Sequence, residues 1–526
     1  MVSSFDHTPA AQQWREIGEY HHHGIAIPLF SLHSEQSCGI GEYLDLLPLI
    51  DWTHKVGMDI IQLLPLNDTG DDSSPYNALS AFALNPIHIS LSALPNISKI
   101  PELEQQLKAL RELNKSQRIE YPAVQKGKLS FLQTYFKASK VAIRQMKEFQ
   151  DFVKDRPWIL SYALFKVLKA KNGRSHWEYW PEEEKNPTSK NFKQMLDTYR
   201  DEVDFHCWTQ YLCDQQLCQV KEYAQQNKVF IKGDIPILIS RDSADVWYYR
   251  ENFNLDYAAG APPDMYSQEG QYWGFPLYNW EKLAKDNYWW WRERLKTASS
   301  YYHLYRIDHV VGFFRIWAIP LGKKATEGFF IPQDEGTWVE SGRKIMEMML
   351  ETTPHMLPIG EDLGTIPPET RRCLKELGIC GTKVMRWERY WDHGGHFIPS
   401  HEYIRESMTT VSTHDSETLT LWWRDQKGEA EYFCKVKGWD YHPTLSRDKL
   451  QAILRESHHT NSVFHINLLP EYLALFSELV WDKPEDERIN VPGIVVDTNW
   501  SYRCKPSVDE ILSHTQLKTV VRSIIK

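Results

Sequence analysis

Short apolar runs that end on or beside Gly, Pro, Asp or Asn recur along the chain at 24–30, 58–65, 229–236, 304–309, 357–362, 382–385, 409–415 and, weakly, 491–496. Between most of them lie stretches with helical spacing, such as 42–56 and 368–377. Strands that alternate with helices must run parallel, because a parallel connection needs a crossover long enough to hold a helix. About eight such units close a barrel. The pattern therefore predicts an α/β fold, a (β/α)8 (TIM) barrel, with 491–496 as the weakest of its eight strands.

The chain has 526 residues, and barrels with insertions run past about 400 residues as one folded unit. We read 1–526 as a single elaborated barrel. From 97 to 226 the sequence is charged and helical, as at 102–115 and 159–171, and predicts a helical insertion between the second and third strands. No Gly/Ser or Pro-rich linker marks it as a separate domain. A second insertion, 240–287, follows the third strand and carries Ala261-Pro262-Pro263-Asp264 and Gly270-Gln271-Tyr272-Trp273-Gly274. Long irregular segments in compact enzymes are usually lids or binding loops, so this one is read as a substrate loop. Tyr288-Trp289-Trp290-Trp291 is read as a helix start that packs in the core.

Composition narrows the class of partner. A formal net charge of -10 gives no broad electropositive surface for nucleic acid, and a neutral substrate fits better. The eight cysteines form no C-x-x-C pair and are read as free thiols of a reducing cytoplasm, with a zinc site at Cys207, Cys213 and Cys218 the less favoured reading. The first residues lack an export leader, and no run of about 18 apolar residues predicts a membrane span. His21-His22-His23 runs straight into the first strand, which favours a native loop over a metal site. Gly39-Ile40-Gly41-Glu42 lacks the third glycine and the lysine of phosphate loops. Tryptophan is the outlier, with 21 copies beside 26 Tyr and 21 Phe. Flat rings with polar tips suit a sugar, although a core rich in large residues is the plainer account of any single Trp.

Three acidic motifs end strand-like runs: Arg306-Ile307-Asp308-His309, Gly360-Glu361-Asp362 and Thr413-His414-Asp415. Counting strands puts them after the fourth, fifth and seventh, at the carboxyl ends where barrel enzymes place their chemistry. Positions two apart on a strand share a face, so Arg306 and Asp308 both point into the mouth. The guanidinium favours the charged form of Asp308, suited to attack an anomeric carbon, while burial and a neighbouring carboxylate favour the protonated form of Glu361. Two carboxyls on adjacent strands can approach to about 5 to 5.5 Å, the spacing of a double displacement. Alone, Arg306-x-Asp308 reads more simply as a structural ion pair, Glu361-Asp362 as a helix cap and His414-Asp415 as a turn. Their joint placement at strand ends is what weakens those simpler readings.

With these motifs the sequence resembles the 4-α-glucanotransferases, called amylomaltase or disproportionating enzyme, of glycoside hydrolase family 77 in the α-amylase clan. The matching stretches run from Gly24-Ile25-Ala26 through Ser74-Pro75-Tyr76, Gly233-Asp234-Ile235-Pro236, Asp242 to Trp247 and the 262–274 loop to Asn490-Val491-Pro492-Gly493 and Asn499-Trp500-Ser501. The resemblance implies Asp308 as nucleophile, Glu361 as acid/base and Asp415 as a transition-state stabiliser gripping sugar hydroxyls. It implies donor-side sugar contacts from Arg306, His309, His414 and Asp234, with Tyr76 stacking there. Ser74, Tyr266, Gln271 and Trp273 are carried over as further substrate-binding positions, the last three in the loop over the acceptor side. It also implies a barrel with inserted subdomains, no C-terminal β-domain, and no cofactor or catalytic metal. The chain departs from the common pattern at Met265, at Ser416 and throughout 386–392, Arg-Trp-Glu-Arg-Tyr-Trp-Asp, where no substrate residue is carried over.

A glycosyl ester on Asp308 can be broken by water or by the 4-hydroxyl of another sugar. Transfer needs an acceptor site that excludes water, and the 262–273 loop is the candidate. The leading expectation is disproportionation of maltooligosaccharides and other α-1,4-glucans, with glucose as an acceptor, in cytoplasmic glycogen, starch or maltose use. An α-glucan hydrolase of the same clan is the alternative. A glycan-binding scaffold with a dead barrel would have lost a carboxylate, and all three are present.

Overall fold

The computed structural model describes residues 5–263, 268–334 and 336–526. Eight parallel strands form one sheet: β1 (His22–Ile27), β2 (Ile60–Leu63), β3 (Phe230–Ile235), β4 (Leu304–Ile307), β5 (Leu357–Gly360), β6 (Gly381–Val384), β7 (Ser407–Thr410) and β8 (Phe464–Leu468). Their spatial order is β5-β4-β3-β2-β1-β8-β7-β6. A parallel bridge between Ile359 and Cys380, with the Gly360 N–H donating to the Cys380 carbonyl at 2.8 Å, joins the two ends into a barrel. Neighbouring loops at its mouth therefore follow β4, β5, β6 and β7 in turn.

Local chemistry sets the helix ends between these strands. The helix Leu46–Val56 stops where Gly57 adopts a left-handed φ of 88°, releasing the chain into β2. Pro368–Leu377 starts on a proline, whose missing N–H costs nothing in a first turn, and stops at Gly378 with φ 79°. Trp290 and Trp291 of the helix Trp289–Ser299 are fully buried, while Trp289 stays 36% exposed. Of the tryptophans expected in the core there, one faces outward.

The eighth strand is a correction. It is Phe464–Leu468, and 491–496 forms no strand. Both faces of β8 are buried, so its polar residues give no alternation with solvent. Asn467 accepts from the Val411 N–H at 2.9 Å and donates to the Tyr472 hydroxyl at 3.0 Å, and His465 lies 3.2 Å from the His22 carbonyl. In 491–496 the β-branched residues misled: Pro492-Gly493 breaks the segment, and Ile494, Val495 and Val496 point to solvent.

Seven α-helices lie between β2 and β3, from Pro101–Glu112 to Arg200–Gln226. Lys128 Nζ and Glu42 Oε1, both buried, meet at 2.5 Å and tie these helices to the first barrel unit. Gln210, on the helix that leads into β3, exchanges two 2.8 Å bonds with the backbone of Leu84. Between β3 and β4 the chain is more regular than its composition suggests. Its strands Tyr257–Ala261 and Gln271–Tyr272 join Ile316–Pro320 and Phe329–Ile331, which follow β4, in a four-stranded antiparallel sheet. Half of that sheet comes from beyond Asp308, so local sequence could not show it.

The last elements of the chain are the helices Val508–Ser513 and Thr515–Ile525. Among the described residues no helix is long and apolar enough to cross a membrane, and no cluster of His, Cys, Asp and Glu is arranged to hold a metal ion. All eight cysteines are free thiols.

Candidate active site

Asp308 and Glu361 each follow directly on a barrel strand, β4 and β5, and Asp415 lies in the loop after β7. One guanidinium organises the first two. Arg306, in register with Asp234 on β3 and Ile359 on β5, points into the mouth from β4. Its Nη1 lies 2.9 Å from Asp308 Oδ1 and 3.0 and 2.9 Å from the two Asp234 oxygens, and its Nη2 lies 3.8 Å from Glu361 Oε2. Planar and permanently charged, an arginine can face several carboxyls at once where a lysine could not.

Glu361 is held from the backbone. The His309 N–H donates to Oε2 at 2.9 Å and the Leu363 N–H to Oε1 at 3.1 Å. His309 adopts a left-handed φ of 44°, an unfavourable conformation for a residue with a side chain, and its N–H in that conformation meets Glu361. Burial raises the Glu361 carboxyl from the usual 4.5 to about 7, the neighbouring Asp308 charge adds to the rise, and Arg306 and the two N–H donors only partly oppose it. One guanidinium cannot neutralise three carboxylates, so a proton retained on Glu361 relieves the excess negative charge.

Asp415 is tuned the other way. Burial pushes its carboxyl up, but the His414 charge and hydrogen bond, the Asn490 amide and Arg306 together outweigh that and hold it at about 2. His414 Nε2 lies 3.3 Å from Asp415 Oδ2 and 3.0 Å from the Tyr76 hydroxyl. Tyr76 gives its single proton to Asp234 at 2.8 Å, so His414 Nε2 must carry the hydrogen that Tyr76 accepts. The Tyr76 and His414 rings stack at 5.4 Å, and both pack against Trp500. Asp234, Tyr76, His414 and Asp415 thus form a continuous polar chain around Arg306.

On the other side, the Trp273 ring stands edge-on to His309 at 5.0 Å, and its Nε1–H donates to Gln271 Oε1 at 3.0 Å. The small antiparallel sheet carries this pair toward the backbone that holds Glu361. Ser74 lies in the turn before Tyr76, where its N–H donates to Asp72 at 2.8 Å. Tyr266 and Met265 lie outside the described residues.

Two members of this constellation were not singled out as site residues from sequence, Asn490 and Trp500. Asn490 Nδ2 donates to Asp415 Oδ1 at 2.7 Å. The signal was the Asn490-Val491-Pro492-Gly493 cluster, whose turn chemistry marks a built loop but not its target. Asn499 closes that loop, accepting from the Val491 N–H at 2.9 Å and donating to the Ile494 carbonyl at 2.9 Å. Asn490→Ala is expected to lower kcat/KM roughly 10- to 100-fold, as a charge-assisted bond is worth about 1.5 to 3 kcal/mol. Unchanged kinetics in a folded variant would show that the Asn490 bond does not matter to Asp415.

A closed barrel with three carboxyls at the C-terminal mouth, one of them protonated near neutrality, has the form of an enzyme acting on glycosidic bonds. A family model described as 4-alpha-glucanotransferase (Glyco_hydro_77) matches residues 27–509. The chain belongs to this family and is an enzyme of the amylomaltase type. The 4-alpha-glucanotransferase of Chlamydia pneumoniae is 45% identical over 522 residues, covering 99% of this chain and 98% of that one. The amylomaltase of Streptococcus agalactiae, solved in complex with acarbose, superposes with a TM-score of 0.81 at 25% identity, covering 96% of this chain and 98% of that one. The Corynebacterium glutamicum amylomaltase shares the fold, with a TM-score of 0.77 at 22% identity over 98% of this chain and 76% of that one.

Proposed function

We propose that the protein disproportionates maltooligosaccharides and other α-1,4-glucans by double displacement through Asp308. In the first half, Asp308 attacks the anomeric carbon of the donor while Glu361 gives its proton to the departing 4-oxygen. A glycosyl ester on Asp308 results, and the shortened glucan leaves. In the second half, Glu361, now a carboxylate, takes the proton of an incoming 4-hydroxyl as that oxygen attacks the ester carbon. A new α-1,4 bond forms and both side chains return to their starting state. Asp415, held anionic, binds sugar hydroxyls and stabilises positive charge on the ring in the transition state.

The observation that carries this reading is the pairing of Asp308 and Glu361 on one guanidinium, with burial keeping a proton on Glu361 up to about pH 7. One arginine facing both carboxyls fits the closer of the two separations used by glycosidases, about 5 to 5.5 Å, which belongs to the retaining mechanism. Trp273 beside His309 supports transfer over hydrolysis, since an apolar ring there binds the acceptor face and excludes water. Free thiols and a neutral substrate support a cytoplasmic place in glycogen, starch or maltose use, with glucose the smallest acceptor.

Maltotriose offered to the pure protein is expected to give glucose together with oligomers longer than the substrate. Glucose and maltose alone would identify a hydrolase, and an unchanged substrate would refute the reading.

A further inference from the structure

The loop after β6 lies at the mouth between the loops that carry Glu361 and Asp415. It folds as a small hairpin, Arg389–Tyr390 paired antiparallel with His396–Phe397, turning through Gly394 and Gly395, both with positive φ. At its tip Trp391 is 56% exposed and Tyr390 39% exposed. Two adjacent aromatic side chains thus stand in solvent at the hairpin.

The Trp391 ring has a rigid backing. The Arg389 guanidinium lies 5.4 Å from its centroid and is itself fixed by the Phe397 ring at 4.2 Å, the Tyr432 ring at 5.5 Å and an ion pair with Glu429. His396 Nδ1 meets the Tyr432 hydroxyl at 2.8 Å, and Tyr390 donates to Glu402 at 2.5 Å, so both strands of the hairpin are pinned. The helix Lys427–Lys437, which holds Tyr432, comes after β7 and anchors the hairpin from outside the barrel. The result is a braced, exposed indole on the loop that follows β6. Among the described residues it shares no hydrogen bond, ion pair or ring contact with Asp308, Glu361 or Asp415.

From this geometry we propose that Trp391, with Tyr390 beside it, is a remote glucan-stacking platform that holds a distal stretch of a long α-1,4-glucan whose reacting bond lies at Asp308. A pyranose offers an apolar ring face to the indole and hydroxyl edges to water, so no charge partner is needed. Pre-organisation by Arg389 removes the ordering cost that a free side chain would add. On this proposal a chain of three sugars reacts without the hairpin, and only a long glucan engages it. The platform therefore sets chain-length preference and leaves the chemistry untouched. The proposal rests on the glucan reading above, and the test separates the two.

The experiment compares the wild type, Trp391→Ala and Trp391→Phe on maltotriose and on a long linear amylose. Trp391→Ala is expected to lower kcat/KM about tenfold on amylose, chiefly through KM, with maltotriose turnover unchanged and partial recovery in Trp391→Phe. Native electrophoresis through amylose-containing gels, with Asp308→Asn as the common background, reads binding without turnover. The protein that keeps Trp391 should be retarded more than the one that also carries Trp391→Ala. A wild type that binds amylose but ignores maltotriose refutes the transferase reading and leaves the platform standing. Equal kinetics and equal retardation with and without the Trp391→Ala substitution overturn the platform, as does an equal loss on both substrates. A loss of self-association on sedimentation, with amylose retardation unchanged, also overturns it by assigning the ring to a second copy of the chain.

Discussion

Asp308→Asn is expected to lower kcat on maltotriose by on the order of 10^4 or more while leaving glucan binding largely intact. The amide has the size of the carboxylate, and its oxygen can keep the 2.9 Å contact with Arg306 Nη1. It cannot supply an anionic oxygen to bond the anomeric carbon. A donor with a better leaving group, such as an α-glucosyl fluoride, should not restore the rate, because in the mechanism we propose the missing step is formation of the ester itself. The substitution also removes one of the two influences that push the Glu361 proton affinity up. Glu361 in the variant should therefore titrate below about 7, a shift readable by infrared difference spectroscopy of the carboxyl band. Near-native turnover by Asp308→Asn would mean that the bond-forming group is elsewhere.

How much of this was legible in the sequence follows from how far apart the cooperating residues are. Asp308 and Arg306 share one strand face, so their pairing could be read from a spacing of two. Glu361 and Asp415 could be placed because each follows a β-rich run that a parallel fold must put beside its neighbours. The helix 368–377 was legible to the residue, since proline and glycine punctuate both ends. β8 was not legible, because its polar residues are satisfied by partners on β1, after β7 and after β8, and burial on both faces erases the period of two. Asn490 and Trp500 reach the site from a loop whose ends close on each other through Asn499, and nothing in that loop names Asp415 as its target. The strands after β4 that support Trp273 pair across more than forty residues. Contacts of that kind are tertiary facts, and propensity carries no information about them.

Glu361→Gln is expected to separate activity from stability. On maltotriose the loss of the proton donor we propose should cost about 10^2- to 10^4-fold in kcat. With an α-glucosyl fluoride, whose leaving group needs no proton, formation of the ester should recover much of that loss, in contrast to Asp308→Asn. In the wild type, kcat/KM for unactivated glucans should fall as pH rises through about 7, where Glu361 loses its proton, and this limb should vanish in the Gln variant. Stability follows from the same shift. The folded state holds a proton up to about pH 7 that the unfolded chain, at 4.5, has already released, so the fold weakens as pH rises from 4.5 to 7 and stays weakened above that. A neutral glutamine carries no such cost. The shift corresponds to roughly 3 kcal/mol, set against about 1 kcal/mol because the amide oxygen can serve only one of the two N–H donors from His309 and Leu363. Glu361→Gln should thus melt higher than the wild type at pH 8 and no higher at pH 4. A variant that melts lower at both would show that the two backbone hydrogen bonds outweigh the burial of charge, and that Glu361 is not held protonated by its surroundings.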